Sequence, residues 1–161
     1  MLRLTAAEAR KMGLVVNKKT CRAKIKRNRP QSEVKQDGSR LTITINDVPP
    51  SLNVWHGMHW AKKAEEKRKW EELIKSMLMG KRKRSEAYRK PVVRITFYFD
   101  IDRDRDKDNM TPKFLMDGLV KAGVIRDDNS KEVDLDWSID PGVHEWCRTD
   151  IVVREWLTNY L

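Results

Sequence analysis

The sequence predicts a mixed α/β (α+β) fold. A single four-stranded sheet carries two main helices in the order β-α-β-α-β-β, behind a basic N-terminal extension. Three observations predict it. Leu41, Ile43 and Ile45, then Val93 to Ile101, then Val133 to Ile139 alternate apolar and polar residues with the two-residue period of strands. Trp70, Leu73, Ile74, Met77 and Leu78, and later Leu115, Met116, Leu119 and Val120, recur at helical spacing. The two kinds of segment interleave, which suits one sheet with helices packed on it. At 161 residues the chain is long enough to bury one core. Residues 1–40 are assigned to the extension and 41–161 to the folded domain.

Within the extension, Thr5-Ala6-Ala7-Glu8 is a capping box that opens a short helix over 5–12, stopped by Gly13. Residues 17–39, basic and without a sustained period, read as a mobile arm able to lie along phosphates. The first strand ends at Asp47-Val48-Pro49-Pro50, because proline donates no ladder hydrogen bond. A helix is expected from His59 to Met79, its apolar stripe extended upstream by Trp60 and Ala64 and its charged residues, Glu71 among them, mostly on the other faces. Gly80 stops it, and Lys81-Arg82-Lys83-Arg84 lies in the connection. The strand from Val93 runs through Ile101 into Asp100-Ile101-Asp102-Arg103-Asp104-Arg105-Asp106-Lys107-Asp108-Asn109. If the backbone stays extended there, all five aspartates face one side. Thr111-Pro112 starts the second helix, with Thr as N-cap and Pro at the first helical position, and Gly123 stops it. Asp140-Pro141-Gly142 is a turn signal after the third strand, and a fourth strand is expected near 148–156.

The net charge of +10 is unevenly spread. Residues 1–40 hold twelve Lys/Arg against three Asp/Glu, residues 41–90 twelve against six, and residues 91–161 ten against fifteen. A basic front and an acidic back suit a protein that grips a polyanion with one part and holds cations with another. Cys21 and Cys147 stand in no metal-ligand spacing and are expected to be reduced thiols. No apolar run approaches the ~20 residues of a membrane span and no signal-peptide core is present, so a cytoplasmic protein without membrane partners is expected. His56, His59 and His144 are read as mostly structural, and Trp137, Trp146 and Trp156 as core or dimer packing rather than base stacking.

Five aspartates at this density need neutralising, since two carboxylates ~5 Å apart repel by ~3 kcal/mol at an effective dielectric near 20. A calcium loop fails on its ligands. With Asp102, Asp104 and Asp106 in its first three positions, the required Gly and Glu are Lys107 and Lys113. An oxygen-ligated Mg²⁺ fits better, because that ion takes one or two carboxylates, keeps water and bridges to phosphate. Asp106 and Asp108 are the pair expected to share it. Asn109 tolerates a turn out of the strand, and Asp127-Asp128 is the distant pair that could complete the site. A helix of about ten residues carries the chain ~15 Å away, and Gly123 to Asp128 can span ~17 Å back. Lys113 in the first helical turn would add a cation for a departing oxyanion. Asp100, Asp102 and Asp104 are expected to pair with the interleaved basic residues.

Arg105-Asp106-Lys107-Asp108-Asn109, Lys113, Asp117-Gly118-Leu119, Ala122-Gly123-Val124-Ile125 and Asp127-Asp128 resemble the signature of RusA-type Holliday junction resolvases. Pro49-Pro50-Ser51-Leu52-Asn53 and His59-Trp60 resemble that family's N-terminal part, so the similarity covers roughly residues 41–156. The spacing from Asp108 to Lys113 is one residue longer than the family's best-known pattern, while that from Lys113 to Asp117 is kept. The resemblance implies a homodimeric, cytoplasmic endonuclease of bacterial or phage origin. It would cut four-way DNA junctions by paired nicks, using Mg²⁺ or Mn²⁺ and no small-molecule cofactor. It assigns Asp106, Asp108 and Asp128 to the metal and Lys113 to catalysis, with Asp117, Asp127 and Asn109 as neighbours that support the ligands. Arg103, Arg105 and Lys107 are expected on the DNA, with His59, Lys81, Arg82, Lys83 and Arg84 as further contacts. Two alternatives share the fold: a nuclease for other branched or flap DNA, and a non-catalytic nucleic-acid-binding accessory protein whose aspartates form an ion-pair network.

Overall fold

The computed structural model describes residues 30–82 and 86–156. The expected helix at 5–12, the arm as far as residue 29, Lys83 and Arg84 lie outside the described residues. The chain divides into two units, Met1–Pro30 and Gln31–Leu161, and every element below belongs to the second.

A hairpin opens this unit. Strands β1 (Glu33–Asp37) and β2 (Arg40–Ile45) pair antiparallel with Asp37 opposite Arg40. The two-residue loop Gly38-Ser39 needs a left-handed residue, supplied by Gly38 at φ 51°. Two helices follow, α1 (Leu52–His56) and α2 (Trp60–Leu78), then β3 (Pro91–Phe99), α3 (Lys113–Lys121), β4 (Asp134–Val143) and β5 (Arg148–Glu155). The strands form one mixed sheet in the order β1-β2-β5-β3-β4. Only the β3–β4 pair is parallel.

Register builds the core in rows. Leu41, Val153, Val93 and Leu135 stand side by side across the sheet, as do Ile43, Ile151, Ile95 and Trp137, and then Ile45, Thr149, Phe97 and Ile139. Side chains two apart share a face, so each row points to the side where Trp70, Ile74, Leu115, Met116 and Leu119 of the helices complete the cluster. The other face carries Thr42, Thr44, Arg94, Thr96, Asp136, Ser138 and Asp150, the polar halves of the same alternations. In the fourth expected strand, whose parity the sequence leaves ambiguous, Thr149, Ile151 and Val153 face inward.

The mixed α/β class, the two main helices and the four expected strands stand. Four details differ. The sheet has five strands, because part of the expected arm (33–37) pairs with β2 and sets Val34 against the core. On α2, Trp60 is 75% exposed and Ala64 is also exposed, so the stripe does not extend upstream. The nine-residue α3 lies beside the later part of the nineteen-residue α2, leaving the first turns of α2 without a facing helix. Glu71 is buried rather than on an outer face. Asp140-Pro141-Gly142 does not end β4; it forms an irregularity within the strand, after which Phe99 pairs with Val143.

The helices meet closely where Gly118 faces Ile74. A Cβ at Gly118 would stand 2.6 Å from Ile74 Cδ1 and 3.3 Å from its Cβ. Gly118→Ala is therefore expected to destabilise the fold by about 1–3 kcal/mol in urea unfolding, through overpacking. Ile74→Val removes Cδ1, so in that background the cost of Gly118→Ala should fall; equal costs in both backgrounds would refute the contact.

Candidate functional site

Beyond Phe99 the chain leaves the sheet. β5 begins opposite Tyr98 and β4 ends opposite Phe99, so no neighbour offers ladder partners further on. The last backbone bond is from His144 N to Phe99 O, 2.8 Å. The aspartate comb is thus a loop and not a strand extension. Arg105 and Lys107 hold it in place without pairing with the interleaved aspartates. Arg105 lies 3.8 Å from the Phe99 ring centroid and donates to the carbonyls of Ile101 (3.1 Å) and Arg103 (2.8 Å). Lys107 reaches Asp136 at 3.3 Å and sits over Trp137. That ion pair holds the Asp136 carboxyl below its usual range. Asp100 accepts the Cys147 thiol at 3.1 Å. The expected pairing of Asp100, Asp102 and Asp104 with Arg103, Arg105 and Lys107 is not formed; Arg105 is taken by backbone carbonyls and Lys107 by Asp136 of β4.

Asp106 precedes a single 3-10 turn, Lys107–Asn109, closed by Asn109 N to Asp106 O at 3.1 Å. Asn109 turns the chain as expected and also anchors it, since its Oδ1 accepts from Asn53 N at 3.0 Å. The loop thereby joins the start of α1, where Ser51 caps Val54. Between the two segments lies a groove of about 590 Å³, lined among others by Asp47, Asn53, Phe99, Arg103, Asp104 and Asp106. Among the described residues, the carboxylates of Asp104, Asp106 and Asp108 have no hydrogen-bond or ion-pair partner.

Helix α3 starts where Thr111 Oγ1 accepts from Lys113 N at 3.2 Å, so the threonine caps as its chemistry predicts, with the boundary shifted by one residue. Lys113 is exposed, and its Nζ lies 3.5 Å from Asp117 Oδ1 one turn on. The other oxygen of Asp117 is 3.1 Å from Lys67 of α2. Below them Glu71, also on α2, is 2.6 Å from Lys121 and 3.9 Å from Lys67. Hydrogen bonding to Asp117 is the main reason the Lys67 pKa is raised, and the charges of Asp117, Glu71 and Asp128 add to it. Lys67 is the site residue that sequence reasoning missed. Its one local signal is the four-residue spacing to Glu71, which itself adjoins the buried stripe at Trp70 and Ile74.

Asp127 is used by its own turn. It accepts from Asn129 Nδ2 and from Asp128 N, each at 2.7 Å, and these bonds keep its carboxyl below the usual range. Asp128 is exposed, and its charge is felt at Lys67. The chain therefore groups Lys113, Asp117, Lys67 and Asp128 on one side of the two helices, with Asp106 and Asp108 on the loop before α3. Among the described residues, no three His, Cys, Asp or Glu are arranged to hold a metal ion. The donor chemistry of Asp106 and Asp108 still fits Mg²⁺ or Mn²⁺: both are carboxylates without partners among the described residues, and Mg²⁺ characteristically takes only one or two of these and completes its shell with water and phosphate.

The remaining candidates divide. Arg103 lines the groove, and Lys81 is exposed. Arg82 is committed to structure, its guanidinium donating to the carbonyls of Gly123 (2.9 Å), Ala122 (3.4 Å) and Glu86. His59 caps α2 through Nδ1, which accepts from Ala61 N at 3.4 Å, and its ring lies beside the exposed Trp60. Among the described residues no helix is long and apolar enough to cross a membrane. No protein-family model matches the sequence, and no curated protein matches it.

The ion pair between Lys67 and Asp117 makes a pH prediction. The folded Lys67 pKa lies above its ordinary value of 10.5. Its contribution to stability is thus whole below that value and is lost as pH rises through the folded one. An NMR titration of the lysine ε-methylenes should find Lys67 titrating last among those of α2, and Asp117→Asn should return it to the others. An unchanged Lys67 in that variant would refute the pairing.

Proposed function

We propose that the chain is a metal-dependent endonuclease of branched DNA, with the four-way junction as its substrate and Mg²⁺ or Mn²⁺ held by Asp106 and Asp108. The observation that carries this reading is the loop at the end of β3. It presents carboxylates without partners among the described residues immediately before a helix that opens on Lys113. The resemblance of the same residues to RusA-type resolvases supports it, as does the net charge of +10.

When bound there, the ion supplies charge that offsets the phosphate and makes water more acidic. The chain's own residues do the rest. Lys113 stands five residues after Asp108 and offers its ammonium to the departing oxygen. Asp117 keeps that ammonium within reach, and Lys67 offsets the negative charge of Asp117 so that Lys113 is not fully neutralised by it. Arg103, exposed on the groove wall, meets the phosphate next to the cut. Paired nicks would follow from two such sites in a homodimer.

A second reading, a nucleic-acid-binding protein without catalysis, shares the fold and the net charge of +10. One experiment separates the two. A labelled four-way junction incubated with the full chain should be nicked with Mg²⁺ and left whole in EDTA. Asp108→Asn should bind the junction as the parent does and abolish nicking, and Lys113→Ala should slow nicking about 10²–10³-fold. A folded parent that binds the junction but never nicks it establishes the second reading; nicking by Asp108→Asn removes that residue from the site.

A further inference from the structure

At the other end of β3 lies a surface that the proposed cutting site does not use. Trp156 directly follows β5, and its backbone N donates to Lys90 O at 3.4 Å, adding one contact past the Pro91–Glu155 pair. The residue is 58% exposed, so of the two settings expected for it, core or dimer packing, the core is excluded. Lys90 adopts φ 43°, the one non-glycine residue with positive φ among those described. Such a conformation costs ~1 kcal/mol or more and marks a constrained position.

Three grooves share Trp156 as a wall. One of about 630 Å³ adds Arg89, Lys90, Arg126 and Glu132. A second of about 360 Å³ adds Lys131, and a third of about 300 Å³ adds Arg154, Glu155 and the Arg94–Asp134 ion pair. Arg89, Lys90, Arg126, Lys131 and Arg154 are all exposed, and among the described residues none of these five side chains has a hydrogen-bond or ion-pair partner. Glu132 and Glu155 are the acidic residues between them. Five cations around an open indole match a polyanion that also has flat apolar faces. An acidic peptide uses the charge alone, and a bilayer offers the indole a flat interface that does not enter the three grooves; an unpaired base with its phosphates uses charge, ring and grooves together.

We propose that this surface binds a single-stranded segment of DNA, with a base stacked on Trp156 and the flanking phosphates held by Arg89, Lys90, Arg126, Lys131 and Arg154. The choice of DNA rests on the function proposed above. β3 spans about 26–30 Å at the usual rise per residue. The contact lies at the Pro91 end of β3, whereas the acidic loop leaves its Phe99 end and is tied by Lys107 to Asp136; it holds a strand that has left the duplex while the acidic loop faces the phosphodiester to be cut.

The test measures fluorescence anisotropy of labelled oligo-dT and of a blunt duplex against the full chain in EDTA, across a salt series. Trp156→Ala is expected to weaken oligo-dT binding at least about tenfold and duplex binding less, with Trp156→Phe recovering much of the loss. The exposed pair Arg126→Glu/Lys131→Glu, which disturbs no packing, should lower the slope of log K against log salt by about 1.4 for single strands. Junction nicking at saturating DNA should be unchanged in both. Circular dichroism and thermal melting check that each variant folds. The proposal is overturned if both variants bind oligo-dT within twofold of the parent, or if they change only the oligomeric state, which would make the surface a contact between copies. A parent that nicks while the variants bind normally leaves the nuclease reading standing and removes this contact; a parent that binds through Trp156 yet never nicks does the reverse.

Discussion

The parallel pairing of β3 with β4 is the constraint on which the rest depends. Val92 stands beside Asp134 and Phe97 beside Ile139, so both strands run the same way. A parallel neighbour cannot be reached by a tight turn; the chain must cross the sheet and start again from the far end. Helix α3 makes that crossing. The acidic loop therefore leaves from the finishing end of β3, while the loop with Asp127 and Asp128 precedes the starting end of β4. The same geometry sends Arg126 and Lys131 towards Trp156, at the end of the sheet where β3 starts.

Where α3 lies is decided by its contact with α2. Absence of a side chain at Gly118 lets Ile74 seat against the α3 backbone, and the approach sets Lys67 beside Asp117 and Glu71 beside Lys121. Glu71 is a buried carboxylate whose partners reach it from exposed positions. Its pairing with Lys121 keeps a charge at the edge of the core from being left unpaired, a condition that is costly in a low-dielectric surrounding. Above it, Lys113, Asp117 and Lys67 alternate in sign, so each charge is held by the next. Lys113 is thereby oriented at the helix start, whatever the substrate it meets.

Much of this architecture was legible in the residues. Alternation at Leu41, Ile43 and Ile45 and at Val93, Ile95 and Phe97 named the inward faces of two strands, because burial on one face of a pleated sheet leaves a two-residue record. The helix stops at Gly80 and Gly123 were equally plain, since both hold positive φ. Asp37-Gly38 carries a hairpin signal, but the single apolar contact of β1, Val34, leaves too little alternation to mark a strand. The comb misled for a different reason. Its parity was that of a strand, but a strand persists only where a neighbour offers hydrogen bonds, and none continues beyond Phe99. Lys67 and Asp117 lie fifty residues apart, and no local pattern links them.

The sequence by itself determined the class of fold, the inward faces of β2, β3, β4 and α3, and the candidate loop with its carboxylates and Lys113, because these follow from short-range periodicity and residue chemistry. Tertiary structure alone decided which charges meet. It drew Arg105 and Lys107 away from the adjacent aspartates, buried Glu71, brought Lys67 to Asp117, and left Trp156 exposed among five cations. Those outcomes depend on distances between segments far apart in the chain, which are set by the crossing from β3 to β4 and by the packing of α3 on α2.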